Sequence, residues 1–188
     1  MTDLSSHLAV GAIVSRGSDI LLVSEPDEDN PGELIWALPG GNVIAPETVG
    51  EALRRRVAEE AGLVRVHAGR LLWVTRYAVR GQQFESLVFE VLEASPYKSK
   101  GLTRDALKPP ASWVPHDEAV ERLAKMWFAP IRDPAVAYLT GRAPVATLWT
   151  WSRLDGPPET VPSAGVGGPV AADGERDEDG EDEQRPAE

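Results

Sequence analysis

The stretch between residues 39 and 63 limits the fold more than any other part of this chain. It opens on Pro39-Gly40-Gly41, and residues 47–61 that follow contain no proline and one glycine before Gly62. A run of that length closed by glycine predicts a helix with its C-cap. With Val49 set at zero and about 100° per residue, Leu53 and Val57 fall within about 80° of it and form the buried stripe. Glu60 falls near about 20°, inside that stripe; Arg56 lies at its edge, and Glu59 lies beside Arg56. A carboxylate on the core side of a helix is costly unless it is paired or holds a cation. Two readings stand at this point. One is a solvated helix laced by Glu51–Arg55 and Arg56–Glu60 pairs at i, i+4 spacing. The other is a working acid pair, set beside a Pro-Gly-Gly turn whose backbone can approach a ligand or ion closely.

The rest of the chain predicts strands around this helix. Residues 8–15 and 19–24 are β-rich runs split by Arg16-Gly17-Ser18, a hairpin signal. Residues 25–33 read as a loop and 34–38 as a short strand. Residues 64–79 and 84–92 read as two longer strands with Gly81-Gln82-Gln83 as the turn between them. Residues 95–110 form a long polar segment, 112–115 a short strand, 116–125 an amphipathic helix and 131–139 a last helix. A domain over residues 6–145 follows, with residues 155–188 as a disordered acidic Pro/Gly-rich tail.

Composition removes several classes of function. Hydrophobic residues make up 42% of the chain, enough for a core. There is no cysteine, which excludes disulfides, thiolate chemistry and Cys-ligated zinc. His7, His67 and His116 are too scattered for a His-rich metal site, so any metal is expected to be a hard ion held by carboxylates. After residue 154 there are 11 Asp or Glu against two Arg, so −9 of the total −11 belongs to the tail. The folded part carries no basic stripe, and no nucleic-acid partner is expected. Residues 1–7 lack the basic start of a signal peptide, and the apolar run 8–14 is too short to span a bilayer. A cytoplasmic chain with no membrane association is the expectation.

From Gly41 onward the spacing resembles the Nudix box, G-x5-E-x7-R-E-U-x-E-E-x-G-U, where U is a bulky aliphatic residue. Glu47, Arg55, Val57, Glu59, Glu60, Gly62 and Leu63 fall on its fixed positions, and Trp36-Ala37-Leu38-Pro39-Gly40 resembles its usual lead-in. Agreement at all but one fixed position is far more specific than a lone glycine-rich match. The order of strands and helices extends the resemblance over residues 8–139. It implies an α/β fold, a Nudix-like α/β/α sandwich with a mixed sheet. It also implies a Mg²⁺-dependent hydrolase (Mn²⁺ as substitute) that cleaves the diphosphate of a nucleoside diphosphate linked to another moiety. Glu59, Glu60 and the Gly41 carbonyl would hold the metal, and Glu47 would pair with Arg55 to fix the loop on the helix.

Arg56 departs from the box, which has Glu there. Arginine cannot accept a proton at neutral pH, and it brings positive charge beside the expected metal position. Three readings stay open. Arg56 pairs with Glu60 and leaves a module that binds a nucleotide or protein; or it takes a substrate phosphate while another carboxylate acts as base; or the enzyme works with fewer metals. Asp105 in the long polar segment and Glu85 near a strand start are the candidate bases beside Glu60. Tyr97 and Trp127 are candidates for stacking a base. Lys98, Lys100 and Arg104 are candidates for phosphate contact, whereas Trp73 and Trp113 are expected in the core.

Overall fold

The computed structural model of the protein describes residues 6–27, 30–94 and 111–163. Strands β1 (Ser6–Arg16) and β2 (Asp19–Pro26) form the expected hairpin, followed by β3 (Leu34–Ala37), β4 (Gly40–Asn42) and helix α1 (Val49–Ala61). Long strands β5 (His67–Val79) and β6 (Gln82–Glu93) come next. Then follow β7 (Ala111–Pro115), α2 (His116–Ala124), α3 (Ala129–Leu139), β8 (Thr147–Trp151) and β9 (Glu159–Val161).

The sheet runs in the order β3-β2-β1-β6-β5-β8-β9, with β4 paired to β1 and β7 to β2. It is mixed: β1 lies parallel to β6 and β5 parallel to β8, and the remaining pairs are antiparallel. Strand alternation sorts the core onto two faces. Val10, Ala12 and Val14 of β1 and Leu21 of β2 pack with Ala52, Leu53, Val57 and Ala61 of α1. Ile13, Ile20 and Leu22, one residue out of phase, pack with Ala119 and Leu123 of α2 and Ala135 and Ala137 of α3. Because β1 and β2 are covered on both faces, they read as nearly continuous apolar runs. Helices on both sides of a mixed sheet make the α/β/α sandwich.

Several boundaries differ from the sequence reading. Helix α1 begins at Val49, not residue 47, because Thr48 caps it. The Glu51 N–H donates to Thr48 Oγ1 at 3.3 Å, and the Thr48 N–H donates to Glu51 Oε2 at 2.7 Å. This reciprocal capping box satisfies two otherwise orphaned donors. Gly62 ends the helix in the left-handed conformation at φ 72°, its N–H donating to the Ala58 carbonyl at 3.0 Å. The β5–β6 turn is the two residues Arg80 and Gly81, so Gln82 and Gln83 belong to the strand.

Three strands were not foreseen. β4 forms where a turn was expected, with Gly40 opposite Gly11 and Gly41 opposite Val10. β8 extends the sheet past residue 145, so the domain is longer than expected. β9 pairs antiparallel with β8, Val161 facing Leu148, inside the region expected to be tail. A tail from residue 155 therefore begins too early; residues 164–188 lie outside the described residues. No described helix is long and apolar enough to cross a membrane.

Candidate active site

The tight docking of β4 on β1 builds the site. A Cβ at Gly40 would meet the Val10 carbonyl oxygen at 2.4 Å, so only glycine lets the two backbones approach this closely. The Ala12 N–H donates to the Pro39 carbonyl at 2.9 Å, and the Val43 N–H to the Leu8 carbonyl at 2.8 Å, pinning both ends of β4. The peptide groups of Gly40 and Gly41 are thereby held against the polar side of α1.

Glu60 is half-buried, its side chain 22% exposed, as the wheel position near the buried stripe implied. Its Oε2 accepts the Gly40 N–H at 2.9 Å and its Oε1 accepts an N–H of Arg56. Burial pushes the Glu60 carboxyl above its usual pKa, against the opposing pull of the Gly40 N–H and the Arg56 charge. Glu59 is more exposed, at 49%, and its Oε2 accepts from Arg55 at 3.1 Å and from Arg56 at 3.3 Å. The Arg56 Nε–H donates to the Gly40 carbonyl at 2.6 Å. One guanidinium thus bridges Gly40, Glu59 and Glu60. It also fills the space above Gly41, where a Cβ would stand 2.3 Å from Arg56 Nε and the backbone φ is 147°.

Arg55, one residue away, points to the loop before the helix. Its Nε donates to Glu47 Oε2 at 2.9 Å, and its terminal nitrogen donates to Glu47 Oε1 at 2.6 Å and to the Asn42 carbonyl at 3.0 Å. This two-bonded fork is the strong geometry for a guanidinium and a carboxylate. The Glu47 carboxyl is lowered to about 2, chiefly by the Arg55 hydrogen bond and then by the Ile44 N–H, which donates at 2.6 Å. A folded-state pKa depressed from 4.5 stabilises the fold fully above that pH, and the contribution disappears as pH falls toward about 2. Melting curves of the protein and of Glu47→Gln should therefore differ most above pH 4.5 and converge as pH approaches about 2. A difference that persists undiminished into strong acid would rule this linkage out.

Beside these groups lies a cavity of about 460 Å³. Gly40, Gly41, Asn42, Arg56 and Glu60 form its polar wall; Trp73, Thr75 and Tyr77 of β5 and Ser86 and Val88 of β6 line it as well, as does Ile131 of α3. Trp73, Thr75 and Tyr77 alternate along one strand and therefore share a face. Trp73 pairs with Val88 and Thr75 with Ser86 across the ladder. Trp73 is buried as expected, at 3% exposure, yet also lines the cavity. Thr75 and Ser86 were not singled out from the sequence. The β-strand period at residues 73, 75 and 77 was the available signal, but only strand pairing reveals which face is open.

The other candidates fall elsewhere. Trp127 is 73% exposed and does not line the cavity; its ring packs on Phe128 with centroids 5.2 Å apart. Phe128 in turn meets the edge of Tyr77 at 5.2 Å. Glu85 pairs with Arg76 at 3.4 Å and is likewise absent from the cavity wall. Tyr97, Arg104 and Asp105 lie outside the described residues.

The expected metal ligands were Glu59, Glu60 and the Gly41 carbonyl. With Arg56 in place they do not fit a divalent ion, because its guanidinium engages both carboxylates and the neighbouring Gly40 carbonyl. Among the described residues no cluster of three or more Asp, Glu or His side chains could hold a metal. Mg²⁺ demands near-octahedral oxygen ligation, and a guanidinium inside the ligand set repels it.

Comparison with known proteins accords with this architecture. The chain is 30% identical over 131 residues to a MutT-like protein of Streptomyces ambofaciens, covering 69% of this chain and 77% of that one. It is 42% identical over 61 residues to an ADP-ribose pyrophosphatase of Methanocaldococcus jannaschii, 32% of this chain but only 35% of that protein's length. In fold it is similar to a NUDIX hydrolase from Nitrosomonas europaea, with a TM-score of 0.57 at 17% identity, over 75% of this chain and 93% of the other. A profile of the NUDIX domain matches residues 5–138, spanning β1 to α3 and the whole motif on α1. With that match added to the glycine strand, the capped helix and the Glu59–Glu60 pair, the chain belongs to the Nudix hydrolase family.

Proposed function

We propose that this chain binds a nucleotide-linked diphosphate in the cavity beside Gly40–Asn42 and hydrolyses the anhydride between its phosphoryl groups. The observation that carries this reading is one wall holding a fixed guanidinium, a half-buried carboxylate and two glycine peptides, facing apolar and aromatic side chains across a ligand-sized space. Water adds to one phosphorus, the bridging P–O bond breaks, and a nucleotide and a phosphorylated product leave. In this reading Arg56 offsets charge on the phosphoryl oxygens. Glu60, its pKa raised by burial, takes the proton of the attacking water. Asp105 is the alternative base, and Tyr97 and Arg104 are the candidates for holding the rest of the substrate.

Nudix hydrolases generally use divalent metals. Mg²⁺, or Mn²⁺ in its place, would supply charge neutralisation and water activation, and Glu59, Glu60 and Gly41 are the residues the family pattern assigns to it. Since those groups already hold Arg56, the steps above rest on the chain's own residues.

A panel of ADP-ribose, nucleoside triphosphates and dinucleoside polyphosphates, incubated with Mg²⁺, with Mn²⁺ and with EDTA, tests the proposal. Release of a nucleoside monophosphate or diphosphate from at least one member is expected. A second reading, a module that binds such a ligand without turnover, is favoured by the capture of both Glu59 and Glu60 by Arg56. Tight binding of a panel member that stays intact would establish that module and end the hydrolase reading.

A further inference from the structure

We infer that Arg56 is a built-in cation: its guanidinium takes the position of a divalent ion at the α1 site, and the chain contacts its diphosphate ligand directly through it. The ligand half of this inference rests on the reading of the cavity as a diphosphate site; the cation half rests on geometry alone.

A divalent ion at this place would draw on a backbone carbonyl of the glycine strand and on oxygens of Glu59 and Glu60. The guanidinium already draws on that type of set. It donates to the Gly40 carbonyl at 2.6 Å, to Glu60 and, at 3.3 Å, to Glu59. The second oxygen of Glu60 is held by the Gly40 N–H at 2.9 Å, so both its oxygens are engaged. Charge argues the same way. Glu47, Glu59 and Glu60 carry three negative charges, and Arg55 and Arg56 carry two positive charges paired with them. With Arg55 held by Glu47, Arg56 is the cation that offsets Glu59 and Glu60, and it weakens their attraction for a dication.

The guanidinium also has capacity left for a ligand. Among the described residues three of its five N–H groups find partners, and the side chain borders the cavity with 29% of its surface exposed. Two donors on a rigid fork suit the paired oxygens of a phosphoryl group. Arg56 would therefore serve as both the internal counter-ion of Glu59–Glu60 and the anchor for the ligand's diphosphate.

The test uses the full chain and two probes, Mn²⁺ alone and ADP. Mn²⁺ binding is read from loss of the free-ion signal in electron paramagnetic resonance, for the natural protein, Arg56→Gln and Arg56→Lys. The natural protein and Arg56→Lys should bind Mn²⁺ about tenfold or more weakly than Arg56→Gln, because only glutamine removes the competing charge. ADP binding is read by calorimetry in EDTA. It should be unchanged by replacing EDTA with Mg²⁺ in the natural protein, and weakened about tenfold in Arg56→Gln. A Mn²⁺ site in the natural protein as tight as that in Arg56→Gln overturns the cation half. If Arg56→Gln does not fold, saturable one-to-one Mn²⁺ binding by the natural protein, abolished by Glu60→Gln, overturns it equally. ADP binding that requires Mg²⁺ overturns the ligand half. Failure of the whole substrate panel would count against the hydrolase reading while the Mn²⁺ result still decides the occupant of the α1 site.

Discussion

Glu60→Gln is expected to lower kcat by about 100-fold or more on whichever substrate the panel identifies, while the denaturation midpoint changes little. The substitution keeps the side chain's size, and the amide oxygen can still accept the Gly40 N–H that Glu60 Oε2 now accepts at 2.9 Å. What disappears is the negative charge facing Arg56 and the cavity-lining carboxylate that is bound to the glycine strand; Glu25, the other carboxylate that lines the cavity among the described residues, is untouched. The amide also turns an N–H toward the guanidinium, donor against donor, which loosens Arg56 from its present position. Loss of the carboxylate acts on the chemical step, and loosening of Arg56 acts on ligand affinity, so kcat should fall by more than the rise in KM. A kcat within twofold of the natural value would remove Glu60 from the mechanism and leave Asp105 as the base to test.

Trp73→Ala should cost about 3–5 kcal/mol of stability, measured by chemical denaturation at fixed slope. Trp73 is 3% exposed, packs in the core between the sheet and α3, and lies with its ring centroid 5.6 Å from that of Tyr138. Removing it leaves a void that close-packed neighbours fill only in part. Because Trp73 also lines the cavity, the variant should lose ligand affinity as well. Trp73→Phe, which restores part of the volume, should recover most of the stability. A loss below about 1 kcal/mol in the alanine variant would mean that the indole is not packed as described.

Helix α1 shows how far pattern reading extends. Its buried stripe and the inward lean of Glu60 follow from a period of 3.6 residues, and Gly62 caps it as the C-cap preference for glycine predicts. It starts after residue 48 because Thr48 and Glu51, both present in the letters, form a capping box. Strand β8 is a similar case: Thr147–Trp151 alternates buried and half-buried residues, with two tryptophans pointing one way. A short strand of that kind has little local signal until its partner β5 is known. β9 had almost none, since all of its residues are exposed and its pairing with β8 runs through the backbone ladder.

Spacing in the letters establishes the family motif, the α/β class and the placement of two glutamates and two arginines on one turn-and-a-half of helix. These depend on spacing along a single segment, which the letters record directly. Tertiary structure alone decided where Arg56 goes. Its guanidinium reaches the Gly40 carbonyl because β4 docks on β1, and that docking depends on a backbone approach between distant segments, closed by a glycine. It likewise decided that Trp73, Thr75 and Tyr77 form one wall with Ser86 and Val88, since strand register turns a period of two into a shared surface. A motif identifies which charges are present; only the fold determines which of them meet, and here it brings an arginine into the position where a metal ion was expected.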